Sequence, residues 1–150
     1  MEYSFKQSFN QDFFHLLPTD WKNSILPFWD NYVDNSSIYL LYDSDKIIAG
    51  GIVFHTCSPD MMYNELEAKK WFDNDYLYLG FIWVIEEYRN KKTGSKWLQA
   101  LSKKFPSQKF WLTIDEENLA FFYIKNGFKL IKSLKNSDDT EWLLTYEPKE

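Results

Sequence analysis

The chain has 150 residues, of which 45% are hydrophobic and 26% are charged, values typical of one soluble domain. Its 17 basic and 22 acidic side chains give a formal charge of -5, and this sign argues against nucleic acid as the main partner. The single cysteine, Cys57, excludes an internal disulfide and a multi-cysteine zinc site. We expect one domain over residues 1–150, located in a reducing cytoplasm.

Uncharged stretches of the chain are too short to cross a membrane. The runs Ile47–Pro59 and Tyr76–Ile85 fall short of the roughly 18 apolar residues that a membrane helix needs. Residues 1–14 lack the layout of a signal peptide. We therefore expect no membrane partner.

The first half of the chain predicts a strand, two short amphipathic helices and a hairpin. The helices follow from apolar residues at helical spacing, with Asp20 as a candidate N-cap. The hairpin follows from two β-rich runs that flank the polar turn Asp43–Asp45. In chain order these elements are Glu2–Ser8, Gln11–Leu17, Trp21–Tyr32, Ser37–Tyr42 and Lys46–His55.

The second half predicts alternating helices and strands, followed by a second hairpin. The strand Tyr76–Ile85 carries no charge, as expected of a central strand that is buried on both faces. Ser58 is a candidate N-cap for the helix before it, and Gly127 suits the end of the last helix. The pattern predicts a mixed α/β sheet layered with helices, with ligands at the carboxyl ends of central strands. The other elements are Pro59–Phe72, Thr93–Phe105, Lys109–Ile114, Asn118–Lys125, Phe128–Leu134 and Glu141–Tyr146.

A basic loop joins the central strand to the helix that begins at Thr93. The first amides of a helix lack internal partners, and its dipole adds partial positive charge there. Together with Arg89, Lys91 and Lys92, these amides would hold a phosphate or pyrophosphate, while Gly94 lets the backbone approach the ligand. The spacing alone also describes an ordinary solvated loop.

A second motif follows the strand Lys109–Ile114. It reads Asn-Leu-Ala-Phe-Phe-Tyr-Ile-Lys-Asn-Gly-Phe over Asn118–Phe128, so that Tyr123 lies four residues before Gly127. Together with the Arg-x-x-x-x-Gly loop about 30 residues upstream, it resembles the GNAT superfamily of acyl-CoA N-acyltransferases. The order of elements is similar along nearly the whole chain. The resemblance implies a mixed α+β fold with a central, mostly antiparallel sheet of about six to seven strands flanked by helices, and homodimers are common among such proteins.

The resemblance also implies that acetyl-CoA is the cosubstrate. The loop and the helix start would hold its pyrophosphate, and the main chain of the central strand would pair with its pantetheine arm. Lys92 departs from the family pattern, because a glycine is usual there. The implied cofactor-binding residues are Ile82, Trp83, Val84, Arg89, Asn90, Lys91, Lys92, Thr93, Gly94, Ser95 and Asn118.

Tyr123 matches the family position whose hydroxyl often protonates the departing thiolate of coenzyme A. A tyrosine has an ordinary pKa of about 10 and is protonated at neutral pH, the state that this role needs. A packed core tyrosine is the alternative. Asn118 precedes Tyr123 by five residues, two fewer than is usual in the family, and a helix N-cap is an equally good account of it.

The general base is not evident from the sequence. Alternation along the central strand predicts that Tyr76, Tyr78, Gly80, Ile82 and Val84 share one face, and none of them is a carboxylate or an imidazole. Water, Tyr78, His55 or Glu87 could then accept the proton. His55 is also interpretable as a partly exposed structural histidine.

The acceptor side carries two aromatic candidates, Trp29 and Tyr32, on the second predicted helix. An exposed aromatic ring there could bind an amine by a cation–π contact, although the helical spacing is equally that of core residues. No metal site is expected, since His15, His55 and Cys57 have no third or fourth ligand in view.

We therefore expect an N-acetyltransferase that moves an acetyl group from acetyl-CoA to an amine of a small molecule or peptide by direct attack. The alternative is a GNAT-shaped module that binds coenzyme A or another ligand with little or no catalysis. Lys92, the shifted Asn118 and the missing strand carboxylate favour that alternative. A third hypothesis is an aromatic-rich domain that binds a partner protein.

Overall fold

The computed structural model describes residues 3–149. Its strands form one seven-stranded sheet in the order β1-β2-β3-β4-β5-β7-β6. Every neighbouring pair is antiparallel except β4 and β5, which are parallel, so the predicted mostly antiparallel sheet of six to seven strands is confirmed. The strands are β1 (Tyr3–Ser8), β2 (Ser36–Asp43), β3 (Lys46–Phe54), β4 (Tyr76–Val84), β5 (Lys109–Ile114), β6 (Phe128–Asn136) and β7 (Asp139–Tyr146). Glu2, predicted to begin β1, lies outside the described residues.

Several predicted helices are shorter in the structure. The prediction of one helix over Trp21–Tyr32 is wrong: an α-helix ends at Ile25 and a 3-10 helix follows over Leu26–Asn31. Pro27 has no N–H to donate to the carbonyl four residues earlier, so the α-helix cannot continue. The α-helices are α1 (Thr19–Ile25), α2 (Glu65–Phe72), α3 (Thr93–Lys104) and α4 (Ala120–Lys125).

The helix predicted over Pro59–Phe72 divides into a 3-10 helix, Pro59–Asn64, and α2. Asn64 caps α2, because its side chain accepts a hydrogen bond of 3.3 Å from the amide of Glu67. The predicted N-cap Ser58 instead precedes the 3-10 helix and makes no cap bond to the backbone. Asp20, the other predicted N-cap, lies within the first turn of α1 behind Pro18. The segment predicted as Gln11–Leu17 forms a 3-10 helix over Asp12–Leu16.

The sheet separates two cores. One face packs against α1, α2 and the 3-10 segments, and the other packs against α3 and α4. Large side chains, many of them aromatic, fill both cores. Fully buried examples are Phe13, Phe54, Tyr78 and Trp111 on the first face, and Trp97 and Phe110 on the second.

A β-bulge in β4 changes which side chains share a face. Ile52 pairs with Gly80 and Gly50 pairs with Trp83, so that a single residue of β3 lies opposite both Phe81 and Ile82. Phe81 has a φ of 56°, in the left-handed region. Beyond this extra residue, each side chain of β4 points to the face opposite to the one that regular alternation predicts. The predicted common face is therefore wrong: Tyr76 and Tyr78 pack on the α1/α2 face, whereas Ile82 and Val84 pack on the α3/α4 face.

The parallel strands β4 and β5 diverge towards their carboxyl ends. They pair only from Tyr76 opposite Lys109 to Tyr78 opposite Trp111. Beyond that pair, β4 continues to Val84 and β5 continues to Ile114, but the two strands no longer pair with each other. We call this opening the β4–β5 fork. It leaves main-chain groups of β4 free to bind an extended ligand.

Candidate active site

The loop from β4 to α3 is held in place by side-chain hydrogen bonds. The Tyr88 hydroxyl donates to an Asp43 carboxylate oxygen at 2.6 Å, which ties the loop to β2. The Thr93 hydroxyl donates to the Tyr88 carbonyl at 2.8 Å. Lys46 forms an ion pair of 2.7 Å with Glu87. The loop therefore has a defined shape before any ligand binds.

The start of α3 offers amides suited to an anion. The first helical bond across this start runs from the amide of Lys96 to the carbonyl of Lys92 at 3.0 Å, so the amides of Thr93, Gly94 and Ser95 precede it. Lys92 itself has φ 63° and ψ 18°, the left-handed conformation that a glycine adopts easily. This conformation costs a lysine roughly 1–2 kcal/mol of conformational free energy. Residue 92 thus has the conformation that the usual glycine would favour, although it is a lysine.

The four basic and polar loop residues, 89–92, differ in whether their side chains already make contacts within the protein. Asn90, Lys91 and Lys92 are exposed. Arg89 is exposed as well, but its Nε donates to the Val84 carbonyl at 3.0 Å, and its guanidinium carbon lies 4.5 Å from the centre of the Trp83 ring. Arg89 therefore caps the end of β4 and has only its Nη groups left for an anion.

Helix α4 packs directly on the start of α3. A Cβ atom at Gly94 would come within 2.9 Å of the Phe122 ring. The Asn126 side chain donates to the Ser95 hydroxyl at 3.1 Å and to the Phe122 carbonyl at 2.8 Å. Thr93 and Ser95 are buried, and the Thr93 hydroxyl proton is already used in its bond to Tyr88, whereas the Ser95 hydroxyl accepts from Asn126 and keeps its proton.

Tyr123 lies on α4 between two aromatic rings. Its ring centre is 5.0 Å from that of Phe122 and 5.5 Å from that of Phe128. Burial raises the pKa of its hydroxyl, which therefore stays protonated. Gly127, at φ 95°, ends the helix as predicted.

Asn118 lies in a separate 3-10 turn, Glu117–Leu119, and is exposed. Helix α4 begins at Ala120, with Leu119 in the N-cap position. The interpretation of Asn118 as the N-cap of this helix is therefore wrong. Its predicted contact with coenzyme A stays a prediction.

A carboxylate that the sequence analysis did not single out lies at the base of the β4–β5 fork. Asp60, in the 3-10 helix before α2, accepts a hydrogen bond of 2.5 Å from the Tyr78 hydroxyl and one of 2.6 Å from the Ser58 hydroxyl. The Tyr78 hydroxyl also lies 3.0 Å from the hydroxyl of Thr113 on β5. Tyr78 and Trp111 are the last paired residues before the strands diverge. Asp60 is thus connected to both strands of the fork.

The surroundings of Asp60 are acidic. Burial raises its pKa, although the hydrogen bonds from Ser58 and Tyr78 oppose the rise. Asp60 is nevertheless an exposed residue as a whole, because part of its surface faces solvent. Burial also raises the pKa of Glu141, which accepts a hydrogen bond from Tyr63 and is influenced by the charge of Asp60.

Asp60 was not evident from the sequence, because it falls inside the predicted helix Pro59–Phe72. A charged side chain on such a helix is normally a solvated surface group. The Ser58-Pro59-Asp60 turn directly after β3 was the available signal. The bond between Tyr78 and Asp60 joins residues 18 positions apart, and the bond between Tyr78 and Thr113 joins residues 35 positions apart. No local pattern predicts either bond.

The other predicted acceptor-side residues have varied positions. The expectation of an exposed Trp29 is wrong: its side chain is 6% exposed and packs edge-on against Phe14. Tyr32 is half-buried, and its ring meets that of Phe54 at 6.1 Å. His55 is exposed at the end of β3, and its backbone amide donates to Asn35 at 2.8 Å. Glu87 is engaged by Lys46 on the surface.

Two further features concern other kinds of site. Within residues 3–149, no group of three His, Cys, Asp or Glu side chains is arranged to hold a metal ion. No helix in that same stretch is long and apolar enough to span a membrane. A cavity of about 340 Å³ lies further along α3, lined by Leu98, Leu101, Phe110 and Phe128 among others, and contains none of the predicted site residues.

The fold is a mixed α+β sheet in which α3, with its free N-terminal amides, follows the central strand β4, and the pairing of β4 with the parallel strand β5 ends at Tyr78. The sequence profile of the Acetyltransferase (GNAT) family matches residues 3–128. The chain therefore belongs to the GNAT acetyltransferase family.

Solved structures show the same fold at low sequence identity. A GNAT family acetyltransferase from Elizabethkingia anophelis with acetyl-CoA bound has a TM-score of 0.67 and 15% identity, covering 97% of each chain. The ribosomal-protein-S18-alanine N-acetyltransferase of Escherichia coli has a TM-score of 0.69 and 16% identity, covering 97% of this chain and 94% of its own. An aminoglycoside 6'-N-acetyltransferase complexed with coenzyme A has a TM-score of 0.67 and 15% identity, covering 98% and 97%. No curated protein sequence matches the chain.

Proposed function

We propose that the protein transfers an acetyl group from acetyl-CoA to a primary amine of a small molecule or peptide. The observation that carries this proposal is the β4–β5 fork, which opens beside the free amides of α3. Membership of the GNAT acetyltransferase family supports the reaction type. The names of the solved relatives, which include an alanine N-acetyltransferase and an aminoglycoside N-acetyltransferase, support an amine as the acceptor.

Acetyl-CoA supplies an acetyl thioester when bound. The amides of Thr93, Gly94 and Ser95 would hold its pyrophosphate, assisted by the charges of Lys91 and Lys92. The free edge of β4 over residues 82–84 would pair with the pantetheine arm as an added strand does. Holding the two reactants in place in this way supplies a large part of the rate.

The acetyl transfer forms one bond and breaks another. The nitrogen lone pair of the neutral amine forms the C–N bond while the C–S bond to coenzyme A breaks. The departing sulfur receives a proton from Tyr123, which burial keeps protonated, and the tyrosine regains a proton from solvent. The nitrogen gives up one proton to a base.

Calorimetric titration of the purified protein with acetyl-CoA tests the cofactor site. We expect saturable binding in the micromolar range, about -8 kcal/mol, followed by release of free thiol when a suitable amine is added. Lys91→Glu should weaken the binding several-fold at low salt, and Lys103→Glu, near the far end of α3, is the matched control. No binding at millimolar acetyl-CoA would overturn the proposal.

One observation favours a second candidate, a coenzyme A-binding module with little or no catalysis. Lys92 holds a left-handed conformation that costs the loop stability, and its side chain occupies a position where the family pattern has none. Tight binding of acetyl-CoA without acetylation of any amine in a broad panel would support the module.

A further inference from the structure

We infer that Asp60 accepts the proton that the acceptor amine loses, and that Tyr78 and Ser58 are positioning residues which hold its carboxylate. This inference rests on the acetyl transfer proposed above. The central strand β4 lacks a usual general base, because its residues from Tyr76 to Val84 include neither a carboxylate nor an imidazole. A carboxylate or imidazole base would therefore have to come from another element.

The position of Asp60 relative to the fork carries the inference. Its Oδ2 accepts from the Tyr78 hydroxyl at 2.5 Å, and that hydroxyl lies 3.0 Å from the hydroxyl of Thr113. Thr113 lies beyond Trp111, the last residue of β5 that pairs with β4. The chain Asp60–Tyr78–Thr113 therefore spans the fork where it opens.

Asp60 approaches the sheet from the side opposite to the anion-binding helix. Tyr78 and Trp111 belong to the core under α1 and α2, whereas α3 packs on the other face. A ligand anchored at the start of α3 would reach the fork from one face. An amine that enters beside Asp60 would reach it from the other, so the two reactants would meet at the fork.

Among the hydrogen-bonded residues, Asp60 is the most exposed, and Thr113 is half-buried. Tyr78 and Ser58 are each 1% exposed, whereas Asp60 retains an exposed surface. Each carboxylate oxygen has accepted one hydrogen bond, from Ser58 or from Tyr78, and keeps a lone pair for an amine N–H. The two donors fix the carboxylate without blocking it.

The charges around Asp60 favour a cationic amine. Among residues 3–149, no lysine, arginine or histidine forms an ion pair with Asp60. An ammonium group would supply the missing positive charge. The titratable groups that interact with Asp60 from the surrounding elements are Tyr32, Cys57, Tyr63, Tyr78 and Glu141.

The proton step balances. An ammonium N–H bond breaks, its proton joins an oxygen of Asp60, and the freed lone pair forms the C–N bond as the C–S bond breaks. The nitrogen then loses a second proton to solvent, which balances the proton that the departing sulfur takes from Tyr123 and that Tyr123 regains from solvent. Asp60 then releases the proton to water. Its raised pKa makes it a stronger base than an exposed aspartate.

The Asp60→Asn variant tests the inference. The probes are spermidine, kanamycin and an alanine-terminated peptide, and the amine that the wild type acetylates fastest is used. We expect unchanged acetyl-CoA affinity and a kcat lowered about 100-fold or more at pH 7. The variant should gain roughly tenfold per pH unit as solvent deprotonates the amine, whereas the wild type levels off above the pKa of Asp60.

The melting temperature separates a catalytic role from a structural one. A carboxylate whose pKa is raised by folding destabilises the protein at neutral pH, so Asp60→Asn should melt at the same or a higher temperature. Tyr78→Phe removes one positioning hydrogen bond and should lower kcat more than it changes the KM for the amine. Asp73→Asn, on the surface near the end of α2, is the control expected to match the wild type.

Three results would count against the inference. Activity of Asp60→Asn within threefold of the wild type would overturn it, and so would a loss of activity that stays constant at every pH. A wild type that binds acetyl-CoA but acetylates none of the three probes would instead overturn the proposed function, and the inference with it.

Discussion

The ring of Phe122 occupies the space that a side chain at residue 94 would need. A Cβ at Gly94 would lie 2.9 Å from the ring's Cζ atom, closer than packed carbon atoms approach. The glycine of the cofactor loop is therefore required by the packing of α4 on α3, in addition to any approach of ligand. This contact fixes the helix that carries Tyr123 to the helix start that would hold the cofactor.

Gly94→Ala should move α4 away from α3. We expect a loss of about 1–3 kcal/mol in the free energy of unfolding, as for other overpacked sites, and weaker binding of acetyl-CoA. Urea denaturation and calorimetry measure the two effects. The double variant Gly94→Ala/Phe122→Leu should recover part of both losses, because a leucine leaves room for the added methyl group. Failure of the second change to restore anything would show that the ring contact is not the cause.

Lys92→Gly and Lys92→Ala should differ in stability. Both remove the same charge, but only glycine tolerates φ 63° without strain. Glycine has the greater entropy in the unfolded chain, which partly offsets this advantage. We expect the free energy of unfolding of Lys92→Gly to exceed that of Lys92→Ala by about 0.5–1 kcal/mol. Their affinities for acetyl-CoA should be alike. A more stable alanine variant would mean that residue 92 is not left-handed in solution.

Tyr123→Phe should lower turnover with little change in binding. The hydroxyl is the group proposed to protonate the departing sulfur, so we expect kcat to fall roughly 100-fold while the Kd for acetyl-CoA stays within about twofold. Tyr146→Phe is the matched control, since Tyr146 is also half-buried and its ring lies 5.4 Å from that of Phe128. Equal effects of the two variants would point to packing instead of proton transfer.

Glu67→Gln should weaken the protein in a pH-dependent way. Burial alone would raise the pKa of Glu67, but hydrogen bonds from Lys132 and Trp71 outweigh it, and the net pKa is lowered from its ordinary value of 4.5. A lowered pKa stabilises the fold above pH 4.5, and this stability is lost as the pH falls through the folded-state value. We expect a loss of about 1–2 kcal/mol at pH 7.

Thermal unfolding of this variant at pH 7 and near pH 3 provides the measurement. The difference from the wild type should shrink as the pH falls through the folded-state pKa of Glu67, because the protonated glutamate is uncharged like the glutamine. Glu65→Gln, an exposed residue of the same helix, should show a much smaller effect at pH 7. A difference that does not depend on pH would contradict the role of the ion pair.

Sequence patterns were sufficient where the physical cause is local. The uncharged run Tyr76–Ile85 predicts a central strand, the polar turn Asp43–Asp45 predicts a hairpin, and Gly127 predicts a helix end; the structure has all three, with the strand ending at Val84. Each depends on the conformational preferences of a few neighbouring residues. The basic loop before Thr93 was likewise evident, because a helix start always presents free amides.

Sequence alone thus determined the order of most elements, the family resemblance and the position of the basic loop before α3. The tertiary structure decided the rest. The bulge at Phe81 reverses the alternation of β4, because one residue of β3 accommodates two residues of its partner. Asp60 joins Tyr78 and Thr113 only because the sheet and the 3-10 helix before α2 bring together residues from three distant segments. Contacts of this kind depend on packing between elements, which no local pattern encodes.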